Sequence, residues 1–223
     1  MNALNGSEIK VLLWIHENLS CAFLDIFMPL VTMFGQAGIF YITVAVLMMV
    51  FPKTRKVGIM LGIALLCGLL ICNIGLKPLV ARTRPYDFYP IDFQMLLPQL
   101  HDYSFPSGHA TAVVEAAVVF LLRGNKKYSI PALVIAILVC LSRMYLFFHY
   151  PTDVLAGAVV GTVCGFIGVA VGDALYRKWG AKIDYFTLWK KKEKMYWKKE
   201  RKNMHLRFWN LQKKSVMKDR INE

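Results

Sequence analysis

The chain has 223 residues, 57% of them hydrophobic and 18% charged, with 27 Lys and Arg against 14 Asp and Glu for a formal charge of +13. An ordinary soluble domain sits near about one quarter charged and at most about half apolar, and a disordered basic tail carries few apolar residues, so both classes are excluded and a lipid environment is indicated. The length suits one membrane domain with a short appendage.

The charge is unevenly spread. From Arg177 onward there are 16 Lys and Arg and 5 Asp and Glu, whereas residues 1–176 hold 11 and 9, so the body is nearly neutral and the tail carries the excess. Cys21, Cys67, Cys72, Cys140 and Cys164 all lie in apolar runs without metal-type pairing, and read as small buried hydrophobes rather than a disulfide framework.

In chain order, residues 1–20 form an N-terminal segment in which Ser7 to Leu19 reads as an amphipathic helix on the membrane surface; no cleavable signal peptide is read there. Residues 21–176 form the membrane domain. Its first apolar stretch, Cys21 to Phe51, exceeds one ordinary span of about 20 residues, and Gly35-Gln36-Ala37-Gly38 near its middle reads as a turn, so two spans are expected. Val57 to Ile74, Ala110 to Leu122, Ile130 to Leu141 running on toward Phe148, and Val154 to Leu175 supply four more. The last is glycine-rich, which suits close helix packing in a bilayer. The fold class is therefore all-α: a polytopic bundle of six transmembrane helices, followed by a basic aromatic tail over residues 177–223.

Lys and Arg in short loops stay on the cytoplasmic side. With six spans the clusters Lys53/Arg55/Lys56, Arg123/Lys126/Lys127 and Arg177/Lys178/Lys182 fall on one face, together with both termini. The opposite, non-cytoplasmic face receives the 35–38 turn, the connection from about residue 80 to 105, and residues 149–152. Lys77, Arg82, Arg84 and Arg143 break this pattern, because they sit at span ends on that opposite face. One such cation can snorkel as an anchor; four of them beside two histidines repel one another and call for an anion.

Phosphate is the natural one, since guanidinium groups pair with its oxygens in bidentate fashion and lysine adds a point charge. Pro106-Ser107-Gly108-His109 opens a helix with Ser107 as N-cap, aiming free amides and the positive helix end at the same place. His149 precedes Asp153 by four residues, so a carboxylate at a new helix's first turn can fix the imidazole tautomer and leave the other nitrogen free as nucleophile or base. His109 is placed to protonate a leaving oxygen.

Lys77, six residues, Arg84-Pro85; Pro106-Ser107-Gly108-His109; Ser142-Arg143, five residues, His149, three residues, Asp153: this order and spacing resembles the tripartite signature of the type 2 phosphatidic acid phosphatase superfamily, from Lys77 to Asp153. The resemblance implies that Lys77, Arg84 and Arg143 bind the phosphoryl oxygens with help from Ser107 and the Gly108 and His109 amides. It further implies that His149 attacks phosphorus, that Asp153 orients it, and that His109 protonates the leaving group, with no metal and no cofactor. Arg82 lies outside the signature and reads equally as a helper or as an interfacial anchor. The activity implied is that of an integral membrane lipid phosphatase acting at the non-cytoplasmic face. Undecaprenyl pyrophosphate is placed first as substrate, and phosphatidylglycerophosphate or phosphatidate second. An anion or phospholipid transporter is the non-enzymatic alternative, and the His149–Asp153 pair, which transport does not need, separates the two.

Three features lie beside this signature. Glu115 and Asn73 read as helix-bridging polar groups. The loop Tyr86 to Phe105 is rich in aromatics and reads either as an interfacial belt or as a shaped entry for a headgroup. The tail, Lys-rich with interleaved aromatics, reads as an interfacial helix on anionic lipid, and no nucleic-acid partner is expected.

Overall fold

The computed structural model describes residues 2–35 and 38–221, with tail side chains only at scattered positions. Among these it is wholly helical: α1 (Asn2–Leu19), α2 (Ala22–Met33), α3 (Ile39–Val50), α4 (Arg55–Gly68), a π-helical segment (Leu69–Leu76), α5 (Lys77–Val80), α6 (Pro85–Phe88), α7 (Gly108–Arg123), α8 (Lys126–Tyr145) and α9 (Pro151–Ile221). The chain divides into two compact units, Met1–Leu175 and Tyr176–Glu223. The second is helical through Ile221. Most side chains behind its expected contact with anionic lipid lie outside the described residues, as do Gln36 and Ala37 of the expected turn.

Local chemistry sets the helix starts. The Ser107 hydroxyl accepts from the Ala110 amide and the Asn125 side chain from the Lys127 amide, each taking up one orphan donor of the first turn. Pro85 and Pro151 open α6 and α9, where their missing N–H is not needed.

The first unit has two distinct ends. At one, Lys56 and Arg123 both pair with Asp173 at 2.6 Å, so two of the basic clusters share an end as expected. At the other stand Arg82, Arg84, the start of α7 and the α8–α9 corner. Thus α4 and α8 run toward this second end, and α7 and α9 run away from it.

Residues 22–50 depart from the expected pair of spans. At the second end the Tyr145 hydroxyl donates to Asp25 (2.6 Å), Arg143 donates to Thr32 (2.7 Å), and Gly35 lies against His109 and Val139. At the basic end the Arg55 Nε donates to the Met49 carbonyl (2.9 Å), and Gly58 lies against the backbone of Ala45 and Met49. The segment therefore descends once, as two short helices, and Gly38 just before the second takes the left-handed conformation (φ 68°) that glycine permits. Among the described residues three helices are long and apolar enough to cross a membrane, Arg55–Phe88, Lys126–Tyr145 and Pro151–Gly180; Ala22–Met33 and Ile39–Val50 are apolar but shorter. The six-span count is not what this path gives.

The N-terminal segment is corrected as well. Ile9 and Leu12 of α1 are buried against Phe147 and Tyr150 of the α8–α9 corner, and Asn5 and Glu8 bond to Arg82. The outer side of α1 exposes Val11 and Trp14. With Asn5 and Glu8 on its buried side, the helix sits at the end away from the Lys56 and Arg123 clusters. The even span count had put it with them.

Close packing holds α9 in place. A side chain at Gly161 would meet the Thr111 carbonyl at 2.5 Å, and one at Gly168 the Met60 carbonyl at 2.6 Å. In lipid, where burying apolar surface gives helices little reason to associate, such backbone approach supplies the dispersion contact.

Candidate active site

Three chain segments meet at the end away from the basic clusters. The π-helical segment leads directly into Lys77 of α5. Ala81 turns the chain through the left-handed region (φ 49°), and Arg82 and Arg84 follow, Arg84 in extended backbone. The second segment enters α7 through Ser104 to Ser107, and its Ser104 amide donates to the Arg82 carbonyl (2.8 Å). The third is the α8–α9 corner, where the amides of Phe148 and His149 both turn back to the Arg143 carbonyl (3.1 and 3.3 Å). Phe147 there has φ 60°, a conformation that costs a bulky residue about 1–3 kcal/mol and persists because the ring is fully buried.

His149 and Asp153 come together as the sequence predicts, but not alone. The imidazole Nδ1 lies 3.6 Å from Asp153 Oδ2 and 3.4 Å from the Ser104 hydroxyl, which itself donates to the same carboxylate oxygen at 2.5 Å. The Tyr150 amide also donates to Oδ2 (3.0 Å), and Arg82 Nη1 donates to Oδ1 (2.6 Å). Asp153 is completely buried, and these donors offset its desolvation. The acidic environment of Nδ1 assigns the proton to that nitrogen. Nε2 faces the Arg84 guanidinium at 3.5 Å, a donor-only group toward which the unprotonated nitrogen turns its lone pair.

The three expected phosphate cations surround this imidazole with different states of occupation. Arg84 is buried; it donates to the carbonyls of Asp102 and Phe148 (both 2.8 Å) and to the Asp102 carboxylate (2.5 Å). Lys77 pairs with the other oxygen of that carboxylate. Asp102, half exposed on the loop, thus occupies the two cations that line the cavity, as a phosphate would. Burial pushes its carboxyl up, but hydrogen bonding to Lys77 and the Arg84 charge outweigh this and hold it near about 2. Arg143 lies behind His149, with Nη1 donating to Thr32 (2.7 Å) and its carbon over the Phe148 ring at 4.5 Å. Its Nε and Nη2 are buried without a partner. An unpaired buried donor costs about 1–3 kcal/mol, so an anion reaching Arg143 relieves a standing deficit.

Lys77, Arg84, Asp102, Gly108, His109 and His149 share one cavity of about 580 Å³. Gly108 and His109 occupy the first two positions of α7, where backbone amides have no intrahelical acceptor. Gly108 also admits Asn73 from the π-helical segment: a side chain at 108 would meet the Asn73 Oδ1 at 2.9 Å. This is a packing contact between the two segments, and the described hydrogen bonds include no bridge from the Asn73 side chain. Ser107 is fully buried as the N-cap, its amide spent on the Asp153 carbonyl (3.0 Å). Away from the cations the cavity continues between α3 and α4 along Ile42, Val46, Leu65, Leu66 and Leu69. Glu115 lies on this stretch, buried, with Oε2 unpartnered and Gly68 directly against its carboxyl. It belongs to the cavity wall and to no bridge among the described hydrogen bonds.

Sequence reasoning missed Ser104, Asp102 as a partner of the cations, and Asn5 and Glu8. Ser104 carried one weak signal, its place three residues before Ser107. The others are polar residues whose partners lie 18 or more positions away.

Basic and acidic groups around a buried imidazole next to an apolar channel define a site for a phosphorylated amphiphile, and the chain belongs to the PAP2 superfamily, whose family model matches residues 55–177. It is similar to an undecaprenyl-diphosphatase of Sulfolobus acidocaldarius, 33% identical over 166 residues that make up 74% of this chain and 79% of that protein. An undecaprenyl-diphosphatase of Bacillus subtilis is 30% identical over 152 residues, 68% of this chain and 77% of the other. Among solved structures, a transmembrane PAP2-type phosphatidylglycerolphosphate phosphatase from Bacillus subtilis matches with a TM-score of 0.63 and 26% identity, covering 78% of this chain and 89% of that one.

Burial first, then the charges of Arg143, Arg84 and Lys77, hold the His149 imidazole well below its ordinary value of 6.5. The unfolded chain takes up a proton at this residue as pH falls through about 6.5, while the folded chain does not, so this group removes stability below that pH and none above it. In a pH titration of ¹³C-labelled histidine, the His149 resonance is expected to stay at its neutral position through pH 6. A His149 midpoint at or above 6.5 contradicts the geometry described.

Proposed function

We propose that this chain is an integral membrane lipid phosphatase that transfers the terminal phosphoryl group of a lipid to His149 and then to water, with undecaprenyl pyrophosphate converted to undecaprenyl phosphate as its reaction. The observation that carries the reading is the cavity itself, in which Lys77, Arg84, His109 and His149 stand at one end and an aliphatic channel between α3 and α4 leads away. A phosphate bound at the polar end leaves its lipid chain in the channel and, beyond it, in the bilayer.

In this reading the phosphoryl oxygens replace the Asp102 carboxylate on Lys77 and Arg84 and reach the unpaired donors of Arg143, with the amides of Gly108 and His109 completing the cradle. The lone pair of His149 Nε2 attacks phosphorus as the bond to the leaving oxygen breaks. That oxygen keeps the electron pair and takes a proton from His109. Asp153, through Ser104 and the Nδ1 proton, holds the ring in the attacking tautomer and offsets the positive charge the ring acquires. Water then attacks phosphorus, giving its proton to His109 and releasing inorganic phosphate and neutral His149. The cations meet the developing charge that Mg²⁺ meets in other phosphoryl transfers, so the reaction runs without a divalent ion.

The two undecaprenyl-diphosphatases and their coverage of the chain support the polyprenyl substrate. Phosphatidylglycerophosphate is the second reading, favoured by the structural likeness to the Bacillus subtilis phosphatase. The cation-bearing site residues handle phosphate and do not read the chain attached to it.

For topology we propose five crossings, with residues 22–50 counted once. The Lys56 and Arg123 clusters then face the cytoplasm, and α1 and the site face outward. A Gly6→Cys variant, open to solvent in α1, is expected to react with an impermeant maleimide on intact cells; labelling only after lysis contradicts this arrangement.

The function is tested by phosphate release from undecaprenyl pyrophosphate, phosphatidylglycerophosphate and phosphatidate, in the presence of a chelator. The diphosphate is expected to turn over fastest, and His149→Ala to lose at least ~1000-fold in kcat. Full turnover by His149→Ala, or activity only with added Mg²⁺, contradicts the mechanism; preference for phosphatidylglycerophosphate selects the second substrate.

A further inference from the structure

Among the described residues, a densely bonded group of charges lies beside the site rather than in it. Arg82 spends every arm of its guanidinium. Nη1 donates to Asp153 Oδ1 (2.6 Å) and the Thr152 hydroxyl (2.7 Å), Nε and Nη2 donate to Asn5 Oδ1 (3.0 and 2.7 Å), and Nη2 donates to Glu8 Oε2 (2.5 Å). Its plane lies over the Tyr150 ring at 3.9 Å. Glu8 reaches past Arg82 to the next helix, accepting from the Thr152 amide with Oε1 (2.7 Å) and from the Thr152 hydroxyl with Oε2 (3.0 Å). Asn5, Glu8, Arg82 and Asp153 are all buried.

Geometry and charge give this network a task. The Thr152 amide belongs to the first turn of α9, and Asp153 is the next residue, so Glu8 fixes the turn from which the carboxylate projects. Arg82 stands closer to Asp153 than His149 does, 2.6 against 3.6 Å. Alone, it would draw the carboxylate's negative charge away from the imidazole. Glu8 on the opposite edge of the guanidinium offsets that pull, leaving one net negative charge over Glu8, Arg82 and Asp153 to face the ring when it becomes positive. A buried ion pair gains little stability over apolar packing, and breaking one by removing a partner is costly. Two acidic residues sharing one arginine at the orienting carboxylate therefore point to a role in positioning.

We infer that Glu8 is a positioning residue for the phosphoryl transfer: acting through Arg82 and Thr152, it sets the orientation and the effective charge of Asp153, and so makes the N-terminal helix α1 part of the catalytic apparatus. This rests on the reading of His149 as nucleophile. Arg82, equally a helper or an anchor on sequence grounds, is the link between the two.

The test uses the full chain in detergent and a soluble short-chain prenyl diphosphate. Glu8→Gln keeps the shape and removes the charge. It is expected to lower kcat by 10- to 100-fold while KM and the inhibition constant of inorganic phosphate, which report Lys77, Arg84 and Arg143, change less than twofold. Glu8→Gln added to Arg82→Gln is expected to cost less than twofold more than Arg82→Gln alone, because the effect passes through Arg82. Asn5→Ala, which spares the Glu8–Thr152 bonds, is expected to lower kcat several-fold and serves if Glu8→Gln is poorly folded. Wild-type kcat in Glu8→Gln, equal losses in the two backgrounds, or a parallel rise in the phosphate constant would overturn the inference. Inactive His149→Ala beside fully active Glu8→Gln refutes only this inference; fully active His149→Ala refutes the phosphohistidine reading beneath it.

Discussion

The site end of the molecule is organised around one buried carboxylate. Asp153 takes bonds from Arg82, from Ser104 and from the Tyr150 amide, and its own backbone carbonyl holds the Ser107 amide. A fully buried carboxylate must be matched this way or lose its charge. The matching draws in four parts of the chain: the 82–84 segment, the entry to α7, the α8–α9 corner and, through Arg82, helix α1. The position of His149 follows from this network, because Nδ1 can approach only the carboxylate edge that Ser104 shares.

The second constraint is an excess of buried positive charge. Arg84 and Lys77 are held by Asp102, and Arg143 keeps two donors unsatisfied. The arrangement is stable enough to stand, yet it is better satisfied by a tetrahedral dianion than by one half-exposed carboxylate. The same excess keeps the imidazole neutral and therefore nucleophilic. In the proposed reaction binding and activation draw on the same cations, and the apolar channel between α3 and α4 suits a phosphate attached to a lipid.

Much of the site was legible in the sequence because its chemistry is local or compositional. Lys77, Arg84 and Arg143 stand out as cations against an apolar background, Ser107 as an N-cap, and His149 with Asp153 as a pair across a helix start. Asn5, Glu8 and Asp102 were not legible, since nothing in their neighbourhoods says which cation, 18 to 77 positions away, each will meet. The fold was legible in class but not in path. Cys21 to Phe51 is long enough for two spans, and only the contacts of Asp25, Thr32 and Gly35 with α8 show that it descends once. The expected even number of spans puts both termini together, whereas the bonds of Asn5 and Glu8 to Arg82 hold α1 at the site end.

The central claim is that His149 Nε2 accepts the phosphoryl group. Rapid quenching of the protein during turnover of a ³²P-labelled polyprenyl diphosphate, followed by peptide mapping, tests it directly. The account predicts a label that is stable to alkali, labile to acid and located on His149. Turnover with no covalent label, or a label on any other residue, would contradict it.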